Sequence, residues 1–353
     1  MSGGVDSSVA ALLTKEQGYD CTGCTMKLYD NDDAGLPAGK TCCSLDDVED
    51  ARSVAYRLDM PYYVFNFKDE FGEKVIDRFV DSYLHARTPN PCIDCNRYLK
   101  FGKLYERAKQ LGCEKIVTGH YARIEQRDGL YVLKKGLDEN KDQSYVLFFM
   151  DQYQLAHTLF PLGSLPKSET RRIAEENGFV NADKPDSQDI CFVPDGNYAR
   201  IIEERTGRES LPGDYLDLDG NVIGRHKGMI RYTIGQHKKL GQSFGRPMYV
   251  CSINAADNTV TLGREEDLYS REVSVKDMHW ISGTVPEESL SAGGLRCRAK
   301  LRYRHPEQPC AAFTMPDGTL KLVFDAPQRA VTPGQFAVLY DGDICLGGGE
   351  ILR

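Results

Sequence analysis

No uninterrupted apolar run in the chain approaches the roughly 18 residues needed to span a bilayer, so nothing points to a membrane protein or a membrane partner. The opening Met1-Ser2-Gly3-Gly4 has neither the basic nor the apolar stretch of a secretory signal, and the compartment expected by default is the cytoplasm. Internal repeats and low-complexity tracts are also absent, which removes solenoids and linker-like chains. Positive charge is in short supply. The net charge is −8, and residues 1–195 carry all of that excess, with 24 Lys+Arg against 32 Asp+Glu, while the remainder balances at 20 and 20. Indiscriminate nucleic-acid binding is therefore out, and any recognition of a polyanion must come from local patches. What is present is an ordinary globular composition, 41% hydrophobic and 27% charged over 353 residues. At about 150 residues per domain, two or three domains are expected.

From Ser8 to about residue 125, extended apolar stretches (21–29, 62–67, 115–118) alternate with amphipathic ones (45–58, 71–85, 96–111). That alternation predicts an α/β domain with a largely parallel sheet. Residues 30–40 are acidic and contain Gly and Pro, which reads as a loop. A second helical region is predicted over 152–178, where 167–177 (KSETRRIAEEN) supplies a charged face. Beyond Gly196 short extended runs are separated by Gly, Pro and Asp-Asn turns, the texture of small β domains or barrels. The expected division is a catalytic domain over 1–195, a small central β-rich domain over 196–270 and a β-barrel over 271–353.

Ser2-Gly3-Gly4-Val5-Asp6-Ser7-Ser8 opens directly into the apolar helix 9–13. Paired glycines let backbone N–H groups face an anion with no Cβ in the way, the hydroxyls add donors, and a helix N-terminus favours negative charge. The order Ser-Gly-Gly-x-Asp-Ser resembles the pyrophosphate loop of the ATP-pyrophosphatase superfamily, whose members adenylate a carbonyl oxygen, and it implies ATP with magnesium as counter-ion to the phosphates. Gly35-Leu36-Pro37-Ala38-Gly39-Lys40-Thr41 imitates a Walker A loop but has three residues between its glycines where four are required, and is rejected. A phosphate loop normally follows a buried strand. Here the sequence opens on the loop itself, so the first strand of the sheet is expected to be missing and the loop to be held less firmly.

Twelve cysteines in a large chain without a secretory signal are expected to be reduced. Cys21 and Cys24 fall in a predicted strand where residues three apart point to opposite faces, and the adjacent Cys42 and Cys43 diverge, so neither pair suits one metal. Cys113, Cys251, Cys297, Cys310 and Cys345 sit in apolar surroundings without partners in sequence and are expected in the core. In Thr88-Pro89-Asn90-Pro91-Cys92-Ile93-Asp94-Cys95-Asn96, two prolines stiffen a loop, and Cys95 is expected just ahead of a helix over 97–111, whose dipole, with Arg97 and Lys100, favours the thiolate. The same CxxC is half of a zinc site, which needs two more ligands. Cys191, in a polar loop that runs into an apolar stretch, is the nearest candidate partner. Three thiols at 92, 95 and 191 hold three irons of a [4Fe-4S] cluster with one iron open, whereas two suffice for a persulfide and disulfide relay.

Taken together and in order, residues 2–8, Thr-Pro-Asn-Pro-x-x-x-Cys-Asn at 88–96, Thr-Gly-His-Tyr-Ala-Arg at 118–123, Asn-Lys-Asp-Gln-Ser-Tyr at 140–145, Ile-Cys-Phe at 190–192, Tyr-Thr-Ile-Gly-Gln at 232–236 and Thr-Pro-Gly-Gln at 332–335 resemble the bacterial tRNA-specific 2-thiouridylases over nearly the whole length. The resemblance implies ATP-dependent thiolation of the wobble uridine, position 34 of tRNA. It implies that residues 2–8 grip ATP with Met26 and Gly119 lining the nucleotide site, that Cys95 is the nucleophile and Cys191 the persulfide carrier, and that Asn90, Pro91 and Cys92 meet the target base. His120, Lys141, Asp142, Gln143, Arg302, Tyr303 and Gln335 match tRNA-contacting positions. The implied partners are the anticodon arm of tRNA and a sulfur donor such as a cysteine desulfurase or a sulfur-relay protein. Cys92 stands where many relatives have Asp, which weakens the case for a carboxylate base and favours the three-thiol cluster, since a third cysteine there has no part in the relay.

Arg296, Arg298, Lys300, Arg302 and Arg304 recur at every second position, so one strand would present a basic face to a phosphate backbone while Cys297, Ala299, Leu301 and Tyr303 turn to the core; the bland alternative is a solvated strand face. Arg87, Arg97, Lys100, Lys103, Arg107 and Lys109, and His237-Lys238-Lys239, add two further patches. Two other functions remain open. An amide-forming ATP-pyrophosphatase, such as a GMP synthetase, needs no reactive cysteine pair, and an RNA-binding metal or cluster protein would grip RNA with the loop and show no ATP–pyrophosphate exchange.

Overall fold

The computed structural model describes residues 1–29, 45–185, 190–193, 195–287, 290 and 293–352. The false Walker sequence, the acidic loop over 30–40 and the pair Cys42-Cys43 lie outside the described residues.

The N-terminal part is α/β with parallel pairing, as the alternation predicts. Helix α1 (Val5–Glu16) starts from Gly4 and buries Val5, Val9 and Leu12 against Val54, Leu162 and Phe179. Strand β1 (Gly23–Lys27) pairs in parallel with β2 (Tyr62–Asn66), and β3 (Ile116–Val117) pairs in parallel with β6 (Thr158–Leu159). These remain two separate two-stranded sheets: among the described residues no strand lies between β1 and β3. The predicted helical region over 152–178 is in fact two helices, Gln152–Ala156 and Lys167–Glu176, with β6 between them. Two residues at a sheet edge give too short a run for any period-2 pattern to register.

A second difference concerns 88–111. The helix begins at Pro91, not at Arg97, and winds through Pro91–Asp94, the wider π-helical Cys95–Lys103 and Leu104–Gln110. Proline fits the first helical position because its missing N–H is not needed there, and Asn90 caps the start by accepting from the Cys92 N–H at 3.2 Å. Cys95 thus lies one turn inside. The positive end of the helix sits beside Cys92, so the dipole argument made for Cys95 loses its basis.

The hairpin β4 (Ala122–Arg127) and β5 (Leu130–Lys135) leaves the α/β part to extend a C-terminal sheet. That sheet runs β11-β14-β13-β12-β15-β16 and closes through β11–β16 into a six-stranded barrel. Its strands are β11 (Tyr269–Trp280), β12 (Leu295–Lys300), β13 (Gln308–Thr314), β14 (Leu320–Arg329), β15 (Phe336–Asp341) and β16 (Ile344–Ile351). Closure leaves no free edge. Between the two parts stands a four-stranded sheet of β7 (Gly213–Leu216), β8 (Val222–His226), β9 (Tyr249–Asn254) and β10 (Thr259–Gly263), with Tyr215, Val250, Val260 and Leu262 as its core. No helix among the described residues is long and apolar enough to cross a membrane.

The five cysteines expected in the core divide. Cys297, Cys310 and Cys345 are buried, whereas Cys113 and Cys251 are half-buried. Cys297 and Cys310 are also direct cross-strand neighbours, with their sulfurs 3.7 Å apart, a pairing that 13 residues of separation conceal in the sequence.

Candidate active site

The site starts from the glycines. Gly3 adopts φ +68°, and a Cβ there would run into the Asp47 carbonyl, so only glycine fits both the turn and the close approach. Gly4, in extended conformation, ends the loop without a side-chain cap on α1, which leaves the first-turn N–H groups directed at the space in front. Ser7 and Ser8 both donate to the Gly4 carbonyl, at 3.0 and 3.1 Å, and Ser7 accepts from the Ser2 N–H.

A ring of side chains distant in sequence holds this turn. Lys167 Nζ donates to both Asp6 oxygens, at 2.6 and 2.8 Å, and the Tyr121 hydroxyl donates to Asp6 at 2.9 Å while hydrogen-bonded to the Thr170 hydroxyl. Buried Asn181 donates to the Gly3 carbonyl (3.0 Å) and to Ser8 Oγ (2.9 Å). Lys184 ties Asp47 and Asp50, fixing the helix over Leu45–Arg57 whose backbone abuts Gly3. Gly119 brings the end of β3 against α1, since a Cβ there would stand 2.7 Å from the Asp6 backbone. Sequence reasoning missed Lys167, Tyr121, Thr170, Asn181 and Lys184. The charged helical face predicted over 167–177 is the one visible signal, and it carries no indication of a partner in the loop.

In front of the loop lies a cavity of about 1660 Å³. Ser2, Gly4, Val5, Asp6, Ser7, Met26 and Gly119 line one region of it, and Asn90, Pro91, Cys92, Cys95 and Cys191 another. His120, Lys141, Asp142 and Gln143 join from the segments after β3 and β5, and Arg302, Tyr303 and Gln335 from the barrel. Every residue expected at the nucleotide, thiol and tRNA-contacting positions, the basic patches apart, therefore reaches one cavity except Gly3 and Ser8, which are buried behind the loop and shape it.

Their roles differ in detail. Asp142 is buried and its carboxylate accepts from the Gly136 and Ser144 N–H groups and from the Ser144 hydroxyl, so it clamps a turn. Gln143 likewise accepts from the Tyr121 N–H. His120 is buried beside Thr118, Phe101 and Phe160; burial, with Lys100 nearby, pushes its pKa well below the ordinary value and keeps the imidazole neutral. It offers a hydrogen bond, not a charge. Gln335 donates to the Thr88 carbonyl at 2.8 Å, and Gly334, at φ +85°, lets the barrel turn press against the backbone at Thr88, so the barrel braces the loop that carries Asn90. Asp94 does not replace the missing carboxylate at 92: it does not line the cavity, and it pairs with Arg78 at 3.4 Å. Burial raises its pKa to about 6, with Arg78 and Arg97 opposing.

The basic ladder divides as well. Strand β12 ends at Lys300, and Arg302 and Arg304 lie in the turn that follows. Within β12 the alternation holds, Cys297 and Ala299 being buried while Arg296 and Arg298 are exposed. Those two arginines are already matched, Arg296 by a bidentate pair with Asp325 (2.9 and 2.8 Å) and Arg298 by Glu307. Lys300, Arg302 and Arg304 line the cavity instead. In the 87–109 patch only Lys100 does so; Arg87 pairs with Asp81 and Glu350, Lys103 with Glu70, and Arg97 lies over Phe149.

Cys191 is set by its neighbours: its carbonyl accepts from the Tyr29 hydroxyl at 3.0 Å, and Phe192 packs edge-on against Phe71 and Phe79. Among the described residues no three His, Cys, Asp or Glu side chains converge closely enough to hold a metal ion. Cys92, Cys95 and Cys191 thus share a cavity without converging on one point in this conformation.

A phosphate loop, two half-buried thiols and a cationic rim from another domain meet in one space, and comparison with known proteins resolves what family builds such a site. Curated tRNA-specific 2-thiouridylases MnmA match the chain end to end. That of Clostridioides difficile is 49% identical over 99% of this chain and 96% of its own length; that of Symbiobacterium thermophilum is 49% identical over 100% and 91%. The chain belongs to the tRNA-specific 2-thiouridylase family. Family models agree in layout: residues 1–195 match the tRNA methyl transferase HUP domain, 200–264 its PRC-barrel domain and 270–351 the aminomethyltransferase β-barrel domain. Within a 2-thiouridylase fold the N-terminal match carries the loop together with Cys95 and Cys191, and the barrel match carries Lys300, Arg302, Arg304 and Gln335.

Proposed function

We propose that this chain is an ATP-dependent tRNA 2-thiouridylase acting on C2 of the wobble uridine. The observation that carries this reading is the single cavity bordered at once by the phosphate loop, by Cys95 and Cys191, and by barrel cations. ATP, with magnesium as its counter-ion, would lie with its phosphates on the N–H groups of residues 4–7, and the barrel cations would draw the anticodon arm in by its phosphates. Attack of the C2 oxygen on the α-phosphate releases pyrophosphate and makes AMP the leaving group. The terminal sulfur of a Cys191 persulfide then adds to C2 and AMP departs. Cys95 thiolate attacks Cys191 Sγ, the S–S bond breaks, the sulfur stays on uridine, and a Cys95–Cys191 disulfide remains for an external thiol to reduce. Two thiols suffice for this relay, and the lack of convergence among 92, 95 and 191 favours it over a cluster-bound sulfide.

The methyl transfer named in the family models' descriptions would have no use for a pyrophosphate loop or for paired thiols, whereas thiolation uses both. Purified protein incubated anaerobically with unmodified tRNA, ATP and a persulfide donor tests the reading by nucleoside mass analysis. A 2-thiouridine product at position 34 is expected; ATP consumption without thiolated nucleoside would defeat it.

A further inference from the structure

Two thiols that sulfur transfer to uridine does not use lie together inside the barrel. Cys297 on β12 and Cys310 on β13 are direct partners in the antiparallel register, and their sulfurs stand 3.7 Å apart, within hydrogen-bond reach. Residues directly opposite in such a pair have Cα atoms about 4.5 to 5.5 Å apart, inside the range of about 4.4 to 6.8 Å that a disulfide spans. A bond between the two sulfurs therefore needs side-chain rotation and no rearrangement of the backbone. Both belong to the apolar cluster around Val273, Leu322, Phe324 and Leu339. A single cysteine there would act as a small apolar filler; two in register place reacting atoms side by side.

The two sulfurs are not equivalent. Cys310 is fully buried, whereas Cys297 keeps 8% of its surface, and the pairing of β12 with β15 reaches only from Arg298 to Lys300, stopping short of it. A thiolate at 297 accepts from the Cys310 S–H, and this bond, with Arg296 adding to it, holds the Cys297 pKa below its usual value against burial. The same bond and burial push Cys310 up. Cys297 is thus the sulfur that ionises, and its narrow opening admits only a small oxidant.

We propose that Cys297 and Cys310 are a peroxide-oxidisable dithiol that closes to a disulfide across the barrel hairpin presenting Lys300, Arg302 and Arg304 to the cavity. The Cys297 thiolate attacks one oxygen of hydrogen peroxide, the O–O bond breaks, and hydroxide leaves and is protonated, giving a sulfenic acid. Cys310 then attacks Cys297 Sγ, its proton and the hydroxyl leave as water, and the S–S bond forms. Two thiols and one peroxide become one disulfide and two waters. A dithiol reverses the bond by exchange. The disulfide staples β12 to β13 at the base of the turn over 301–307, so the strands that carry the cationic rim separate less readily. The inference does not rest on the activity proposed above, because neither sulfur lines the cavity.

The test treats fully reduced protein with hydrogen peroxide, blocks the remaining thiols by alkylation and maps peptides without reduction. A crosslink joining 297 to 310 is expected, and a dithiol should remove it. The oxidised barrel should unfold at a Tm at least about 4 °C higher, and the amides of β12 and β13 should exchange hydrogen at least about tenfold more slowly. A disulfide between Cys95 and Cys191 would confuse the Tm alone. The rise should therefore survive Cys191→Ala and disappear in Cys297→Ala and in Cys310→Ala. In Cys310→Ala, oxidation should stop at a sulfenic acid on Cys297 that a cyclic diketone traps. If peroxide leaves 297 and 310 as free thiols in the wild-type protein, or oxidises Cys297 without a crosslink, the proposal fails. A crosslink that changes neither Tm nor exchange in β12 and β13 would overturn the staple. None of these readouts depends on ATP, tRNA or sulfur transfer.

Discussion

Arg296 and Arg298 are conspicuous in the sequence but answered in the fold, while Lys300 and Arg304 line the cavity, and this division makes a quantitative prediction. Each lysine or arginine on a phosphate contributes about 0.7 to 0.9 to the slope of log affinity against log salt. Replacing Lys300 and Arg304 by Gln should therefore reduce the slope by about 1.4 to 1.8, and near 0.1 M salt weaken tRNA binding by about 25- to 60-fold. The pair Arg296→Gln and Arg298→Gln should change the slope by less than about 0.3, because Asp325 and Glu307 already compensate those charges. Arg302 is left out of the comparison, since its guanidinium also donates to the Arg329 and Ala330 carbonyls and its loss would disturb the barrel turn. Filter binding of unmodified tRNA from about 50 to about 300 mM salt reads both pairs. Equal flattening by the two pairs would refute the assignment of the tRNA face to the cavity rim and extend it along β12.

Lys167→Met removes two of the bonds on Asp6 and should lower AMP formation by about 10- to 100-fold through misplacement of the loop, with tRNA affinity unchanged; normal AMP formation would remove Lys167 from the site's scaffold. Asp94 has its folded pKa raised from 3.8 to about 6, so the folded state holds the proton more tightly and the stability it contributes is present below about pH 4 and lost as pH rises through about 6. Asp94→Asn should flatten that decline by up to about 3 kcal/mol in denaturant titrations at pH 4 and 6, and a steeper decline in the variant would contradict the burial argument. Cys92→Ser should still thiolate and leave a Cys95–Cys191 disulfide after one turnover, whereas Cys95→Ser and Cys191→Ser should not turn over; loss of activity in Cys92→Ser together with loss of bound iron from anaerobic protein would restore the cluster.

The phosphate loop was legible because glycine and serine act locally, through backbone freedom and donors that need no distant partner. The α/β alternation and the β-rich C-terminal half were legible through their periods. What the sequence concealed were partnerships across long separations. Asp6 meets Lys167 across 161 residues, and Gly3 meets Asn181 across 178. Arg296 finds Asp325 only because β12 and β14 are both neighbours of β13. Pro91 misled for a different reason: proline stiffens loops and also starts helices, and Asn90, two residues ahead of Cys92, was the capping signal that separates the two. Whether three cysteines converge on one point is a tertiary property that spacing in the sequence does not carry.

Adenylation of the C2 oxygen, followed by displacement of AMP by sulfur, is the claim on which the rest depends. It is tested most directly by tRNA carrying oxygen-18 at C2 of the wobble uridine, given to the enzyme with ATP and a persulfide donor in a single turnover. The account predicts that the label appears in the phosphate of AMP, in equal amount to the 2-thiouridine formed. Unlabelled AMP alongside thiolated tRNA would contradict it.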